Sequence, residues 1–481
     1  MSSNSRFFFV LASAAASLGI GNLLFYPYLS FKYGGLFFLP YLAALAVLGI
    51  PLLLLEFSIG QHFNKNIVDL FGSIRKWFSG IGWLMIFNSF ILMSAMAVML
   101  SWSIIYFFVS FGLQWKSDAK YYFFSKVLQA SDGIGDFTNF SLPVFIALAL
   151  SCLIILFCIR KGFGSIKRTF LIAFPIFTAL MIFFLLYSLS LDNALSGVYY
   201  FLKPSIKSLL SPSIWLSSFS LAVLSLGLSF GIMPAFARKN DKGFMLGSSF
   251  VIAIVEVIVS IAFAFIVFGF IGFLGINKGM NLNNLISSDF WMHFTVLAQA
   301  LPLFNGPTLL SLLFFLFLSS FLVFGVLSLA YSISNVLVQK FNTKHINAAI
   351  IVSGLGFLFG LLFVIKPGFY IMDIVTHFIY YSIMIALLLE VTAVGWFFDV
   401  DKLSEHINQA SKLKIGGLWR FIIRYFAPLV LLSLLVIQAK SDLLANYNNY
   451  PLWALLIFGI GTVAFPLIAA FLMPEKLLDR R

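Results

Sequence analysis

The sequence predicts an all-α membrane protein of about twelve transmembrane helices, and three observations carry that prediction. The 481 residues are 61% hydrophobic and only 10% charged, where soluble domains carry about 25% charged residues, and the mean hydropathy is +1.04. Apolar runs of spanning length, about 20 residues, recur at roughly 7–30, 36–60, 83–112, 141–160, 167–191, 212–236, 246–274, 305–338, 346–366, 370–398, 421–439 and 450–473. Two of these runs, the first and the sixth, contain residues that an unbroken helix tolerates poorly.

In the first run, Gly19 and Gly21 are followed by Asn22 and Pro27. In the sixth, the stretch Ser225 to Phe230 reads Ser-Leu-Gly-Leu-Ser-Phe, with Gly231 and Pro234 after it. Glycine and proline both weaken a helix interior. A helix interrupted at mid-bilayer frees carbonyls and amides that lipid cannot satisfy. Such a break survives only when it is buried in protein or lines a polar cavity. The plainer reading of the glycines is close helix packing. The two runs lie five spans apart and so cross in opposite directions, the pattern of an inverted-repeat transporter with its site at the repeat interface.

The net charge of +13 would suit a nucleic-acid partner in a soluble protein, but here the basic residues fall between apolar runs. Lys65, Arg75 and Lys76; Arg160, Lys161, Lys167 and Arg168; Arg238, Lys239 and Lys242; Lys340 and Lys344; and Lys402, Lys412, Lys414, Arg420 and Arg424 all belong to one side. Lys32 and Lys366 stand alone in two loops of the other side. Positive charge marks the cytoplasmic face, so both termini are expected there, with the basic loops touching anionic lipid. Arg6, the run Phe7 to Ala12 and the small residues Ser13 to Ala16 imitate a signal peptide, but apolarity resumes at once and the segment reads as the first membrane helix. The outer loops 113–140 and 275–304 are the longest, and Asn281, Asn283, Asn284 and Pro302 point to short helices or turns there. Cys152 and Cys158 share one apolar run, which suggests neither a disulfide framework nor a metal site. His62, His293, His345, His377 and His406 are scattered. With no nucleophile-base set, metal cluster or phosphate loop, an enzyme is not expected.

Several motifs resemble a known family: Gly19-Ile20-Gly21-Asn22 with Pro27, Gly34-Gly35-Leu36-Phe37-Phe38-Leu39-Pro40-Tyr41, Gly49-Ile50-Pro51 with Glu56, and Gly60-Gln61. Gly82-Trp83, Trp102, Trp215, Glu390 to Trp396 and Arg424-Tyr425-Phe426-Ala427-Pro428 follow in order. From about residue 6 to 440 the chain resembles the neurotransmitter:sodium symporters in their bacterial amino-acid-transporter form, as a divergent member. The resemblance implies ten core helices in two inverted five-helix repeats, roughly 6–191 and 212–398, plus two peripheral helices. Residues 1–440 would then hold the core and the eleventh helix, and 441–481 the twelfth helix and a short cytoplasmic tail, as one integral membrane domain.

The resemblance also implies a sodium site made by Asn22, Ser17, Ser225 and Glu256, all of which can offer the hard oxygens that sodium prefers. An ionisable group in mid-span costs about 2.5–3.5 kcal/mol on insertion scales and is a functional candidate by default. Glu256 could hold sodium as a carboxylate, carry a proton instead, or simply pack between helices. Glu56 matches a glutamate that accepts hydrogen bonds from amides at the breaks, and Glu390 matches a further position whose role is open. Leu92, Met96, Leu224, Gly227 and Phe230 would line an apolar pocket for a small neutral solute. The backbone near Ile20 and Gly21 would meet a solute carboxylate. Ala16 stands where monoamine carriers keep an aspartate, which disfavours a cationic amine.

Departures from the family pattern are equally specific. The outer-gate arginine is replaced by Phe25 and its aspartate by Val375, with Asp373 close by in sequence. The tyrosine that usually meets the substrate carboxylate is replaced by Met96. The hydroxyl pair of a second sodium site falls on Phe324 and Gly325, with Ser319 and Ser320 more than one turn away, so that site is expected to be altered or absent. Gln339 occupies the place of an inner-gate aspartate. The expectation is a secondary active transporter in a bacterial inner membrane, sodium-coupled and without other cofactors, importing a small neutral amino acid or related solute. Proton coupling through Glu256, an uncoupled carrier, or a transport-dead sensor are the alternatives.

Overall fold

The computed structural model describes residues 3–18, 21, 25–238, 245–277, 279, 291–410, 414–444 and 447–472, and these form helices joined by turns, with no named strand among them. Ten helices among the described residues are long and apolar enough to cross a bilayer. In chain order they include Gly35–Phe63 (span 2), Lys76–Val109 (span 3), Leu142–Ile159 (span 4) and Phe163–Ser190 (span 5). After the sixth come Met245–Gly275 (span 7), Pro307–Lys340 (span 8), His345–Phe363 (span 9) and Gly368–Phe397 (span 10). Residues 417–444 form span 11 and Leu452–Leu472 span 12. The first and sixth spans are divided, into Ser3–Ser17 and Tyr26–Tyr33 and into Pro212–Ser225 and Ile232–Ala237.

Local chemistry explains the sixth break. Gly227, Ser229 and Gly231 have φ of 63°, 65° and 67°, and three left-handed residues in five cannot continue a right-handed helix. Glycine takes this conformation freely, whereas Ser229 pays about 1–2 kcal/mol for it. The helix resumes with Pro234 in its first turn. In the first span the helix ends at Ser17, with Leu18 N bonded three residues back to Ala15 O at 3.3 Å. The helix that follows carries Pro27 in its first turn, where the missing N–H costs nothing.

Packing repeats with a period of five spans. Span 2 contacts both pieces of span 6, and span 7 contacts both pieces of span 1. Span 3 contacts spans 9 and 10, and span 8 contacts spans 4 and 5 in the same way. Spans 3 and 8, which exchange places under this rule, form the most extensive contact among the described residues. Two five-helix units of opposite orientation therefore interlock, as expected. Glycines set the closest approaches. A Cβ on Gly60 of span 2 would lie 2.5 Å from Pro234 O and 2.6 Å from its Cα.

Among the shorter helices, Met292–Leu303 falls in the outer loop where Pro302 points to a short helix or turn, while three others have no clear mark in the sequence. These three are Ile67–Ile74, Ala194–Leu202 and Val400–Ala410. Ile67–Ile74 begins at Asn66, whose side chain accepts from Val68 N and Asp69 N at 3.1 Å each. It buries Ile67, Val68, Leu70 and Phe71, so the run is apolar but only eight residues long. Pro302 lies in the outer helix Met292–Leu303, whereas Asn281, Asn283 and Asn284 fall outside the described residues. His293 of that helix is buried, with neither ring nitrogen hydrogen-bonded, and burial pushes its pKa down to about 3.

Two outcomes are expected. Gly60→Ala should wedge span 2 from the inner piece of span 6 and lower the thermal unfolding temperature, at a cost of about 1–3 kcal/mol. Gly354→Ala, where nothing lies within 4 Å, should leave it unchanged or slightly higher. The unfolded chain protonates His293 near its ordinary pKa of about 6.5, while the folded chain resists protonation down to about 3. Stability should therefore fall as pH drops below about 6.5, and His293→Phe should flatten that part of a melting-temperature profile.

Candidate transport site

The two breaks touch. A Cβ on Gly21 would lie 3.1 Å from Ser225 Cα, and one on Gly227 would lie 3.4 Å from Ala16 O. Beside this junction is a cavity of about 590 Å³. Ala16, Ser17, Gly21 and Phe25 of the first span line it, together with Leu224, Gly227 and Phe230 of the sixth and Leu92 and Met96 of the third. Ile20 and Asn22, also expected here, lie outside the described residues.

The cavity continues toward the face opposite the amino terminus, where Lys32, Ser213, Asp373, His377, Gln438 and Tyr447 line it. All but Tyr447, which lies in the linker between spans 11 and 12, stand toward the ends of their spans on that face. The inner ends are closed by contacts. Arg238, after the sixth span, donates to Gln339 Oε1 at the end of span 8, and Gln339 in turn donates to Asn335. Lys340 Nζ pairs with Asp69 at 2.8 Å. The rings of Phe236 and Tyr331 stack with centroids 5.5 Å apart, with Phe163 beside both. The cavity is thus open toward the face opposite the amino terminus and closed toward the amino-terminal face.

Beneath the junction is a buried oxygen cluster. Tyr41 Oη donates to Glu256 Oε2 and lies 3.2 Å from Ser225 Oγ. Ser260 Oγ donates to Glu256 Oε1 at 3.0 Å. Tyr41 has one proton, and it goes to Glu256, so Ser225 is the donor to Tyr41. Ser225, Glu256 and Ser260 are all at 0% exposure, which seals the cluster from water. Ser17 Oγ, also buried, donates to Ala14 O at 2.8 Å. The expected pair Ser225 and Glu256 is thus in one network, joined through Tyr41. Nothing in the sequence marks the Tyr41 hydroxyl for this role; Ser260 lies one turn beyond Glu256, a spacing that puts the two on one helix face.

The exposed backbone of the second break is satisfied from three directions. Glu56 Oε1 accepts from Ser229 N at 2.5 Å, and Phe230 O accepts from Ser89 Oγ at 2.9 Å and Ser332 Oγ at 2.8 Å. The two serines carry no mark in the sequence, because a serine in an apolar span usually bonds to its own helix and nothing in its spacing reveals a distant acceptor.

At the positions of departure, Phe25 lines the cavity and Val375 is buried. Asp373 accepts from Tyr447, Asn448 and Tyr450 at 3.1, 3.0 and 2.8 Å, which ties it to the linker before span 12. Gly325 faces the end of the first helix: a Cβ there would lie 3.7 Å from Leu18 O and 3.1 Å from Met96 Sδ. Phe324 packs against Phe170, Phe174 and Phe177. Ser319 bonds to Ser103 at 2.8 Å and Ser320 to Phe317 O at 2.7 Å, so both hydroxyls are engaged elsewhere.

The model of the Sodium:neurotransmitter symporter family matches residues 2–118 and 113–477. The chain belongs to this family. It is accordingly an integral membrane transporter. It is 28% identical to an uncharacterized sodium-dependent transporter of Methanocaldococcus jannaschii, over 98% of this chain and 97% of that one. It is 26% identical to a sodium- and chloride-dependent GABA transporter of Drosophila melanogaster, over 94% of this chain and 52% of that one. With a sodium-dependent nutrient amino acid transporter of Drosophila grimshawi it shares 24% identity, over 95% and 80% of the two chains.

The double donation to Phe230 O yields a test. Ser89→Ala or Ser332→Ala alone should cost about 0.5–1.5 kcal/mol, because the other serine still serves the carbonyl. The double variant should cost more than the sum, since it orphans a buried acceptor. A double-mutant cycle by thermal or denaturant unfolding measures the difference.

Proposed function

We propose that this family member is a secondary active symporter that imports a small neutral amino acid or related solute with sodium, by alternating access. The observation that carries the reading is the contact between the two breaks, with Glu256 sealed beneath and one cavity leading outward from them. A solute entering that cavity meets apolar walls at Leu92, Met96, Leu224 and Phe230, which suit an aliphatic or aromatic side chain. Ala16 offers no countercharge to an amine. Met96 donates no proton to a carboxylate, so a carboxylate would be met by the backbone at 20–21.

Sodium would take Ser17, Asn22, Ser225 and Glu256 as ligands. Two hydroxyl donors on the Glu256 carboxyl, from Tyr41 and Ser260, support its anionic form, because a carboxylate is acceptor-only. An anion at mid-membrane calls for a cation. This favours sodium over a proton at Glu256. Ligand binding that draws the two breaks together would favour closing the outer path, while the inner contacts around Arg238 and Phe236 would part in the inward-facing state. The names of the relatives fit a sodium-dependent carrier of amino acids or related molecules. The basic loops fit a bacterial inner membrane with both termini in the cytoplasm.

Uptake of radiolabelled neutral amino acids into proteoliposomes tests this. Accumulation driven by an inward sodium gradient is expected, and accumulation driven equally by a proton gradient without sodium would overturn the coupling. Binding without any flux would overturn transport itself. Glu256→Gln and Asn22→Ala should each abolish sodium-driven uptake while the protein still folds. Tyr41→Phe should raise the sodium concentration needed for half-maximal uptake by roughly tenfold, the worth of one hydrogen bond to a charged group. Unchanged sodium activation in Glu256→Gln would remove Glu256 from the ion site.

A further inference from the structure

The cations of the closed, amino-terminal face differ in what they meet. Lys340 pairs with Asp69, Arg420 and Arg424 with Asp401, and Lys402 with Asp399, while Arg238 bonds to Gln339. One corner of that face is built otherwise. The loop from span 4 into span 5 brings Arg160, Lys161, Lys167 and Arg168 to it, and the loop from span 8 into span 9 brings Lys344 and His345. The two loops touch, since a Cβ on Gly162 would lie 2.7 Å from His345 Cε1. Arg160, Lys161, Arg168 and Lys344 are exposed, and none of them forms an ion pair among the described residues. No partner is within their own segments either. Residues 137–191 and 290–372 contain no Asp or Glu, so spans 4, 5, 8 and 9 and the two loops are without an acid. Like charges gathered in this way repel, and at a membrane surface the counterion at hand is a lipid phosphate.

On the membrane side of the corner the surface turns apolar. The Arg160 guanidinium lies over the ring of Phe157, 4.9 Å from its centroid. Phe157 and Ile154 of span 4 and Ile346 and Ile350 of span 9 are exposed, and the two spans pack together. A cationic rim above an apolar wall matches a molecule with an anionic head and hydrocarbon tails. A free phosphate or a nucleotide would leave the wall unused.

The same loop also reaches inward. The ring of Phe163 lies 5.4 Å from that of Phe8 and 5.9 Å from those of Phe236 and Tyr331, which are among the contacts that shut the inner end. Lys167 Nζ is 5.1 Å from the centre of the Phe8 ring. Rim and closure are therefore two sides of one short segment. We propose that this corner of spans 4, 5 and 9 is a docking site for the headgroup of an anionic phospholipid, and that lipid bound there steadies the inward-closed arrangement. A lipid that neutralises the rim holds the loop where Phe163 meets Phe236. It binds that state more tightly than one in which the contact has parted, and so shifts the population toward closure. The proposal holds whatever solute or ion the cavity takes.

Native mass spectrometry of the full chain, released from nanodiscs of mixed phosphatidylcholine and phosphatidylglycerol, reads the site. Phosphatidylglycerol should be retained in preference to phosphatidylcholine. Each cation near an anionic surface strengthens attachment roughly fivefold, so Arg160→Gln should lower retention by about that factor. Arg160→Gln, Lys161→Gln, Arg168→Gln and Lys344→Gln together should abolish the preference, whereas Lys65→Gln with Lys76→Gln, elsewhere on the same face, should keep it. Inorganic phosphate in excess should not displace the lipid. Equal retention of the two lipids by the wild type, displacement by phosphate, or an unchanged preference in the combined variant would each overturn the site. Hydrogen exchange reads the link to closure. Amides of Ile232–Ala237 in the wild type should exchange severalfold more slowly in phosphatidylglycerol than in phosphatidylcholine nanodiscs, and the combined variant should show no difference. Equal exchange of the wild type in both lipids would overturn that link, and this comparison requires no substitution.

Discussion

A peptide group at mid-bilayer has no water to turn to, and the second break exists because other parts of this protein supply what water would. The decisive bond runs from Ser229 N to the Glu56 carboxylate, and the carbonyl of the next residue is held by Ser89 and Ser332. These donors and acceptors come from spans 2, 3 and 8. Both five-helix units therefore contribute to holding open one interruption, and the cavity beside it depends on that support. Three left-handed residues define the shape of the turn, but their strain persists only because the surroundings satisfy the backbone.

The same constraint accounts for what could be read in the sequence. Glycine and proline at positions 19–27 and 227–234 violate the helix rule inside apolar runs, and a violation of that kind is visible without coordinates. Ser17, Ser225, Glu56 and Glu256 are polar residues in apolar surroundings, visible for the same reason. Their spacing says nothing of which ones meet. That required the packing, which joins Ser225 to Glu256 through Tyr41 and brings Gly21 against Ser225.

What escaped the sequence was of two kinds. Serines are common in membrane helices; Ser89 and Ser332 differ from their neighbours only in the distant carbonyl they find, and Ser260 only in meeting a carboxylate on its own helix. Short apolar segments such as Ile67–Ile74 resemble fragments of spans, and only the Asn66 cap and the close approach at Gly82 show them lying against the bundle. The position of Asp373 is a third instance. Counting residues left it within a slip of the outer gate, but three donors from 447–450 already occupy its carboxylate.

Those three bonds, with Tyr447 stacked on His377 at 3.7 Å, rivet the last hairpin to the outer tip of the tenth span. Helices that would otherwise be bystanders to the working bundle become ballast on one of its walls. Any tilt of that wall at the mouth of the cavity must carry the hairpin along or tear the rivets. The lipid and any neighbour packed against the final two helices therefore share the mechanical load of the solute path.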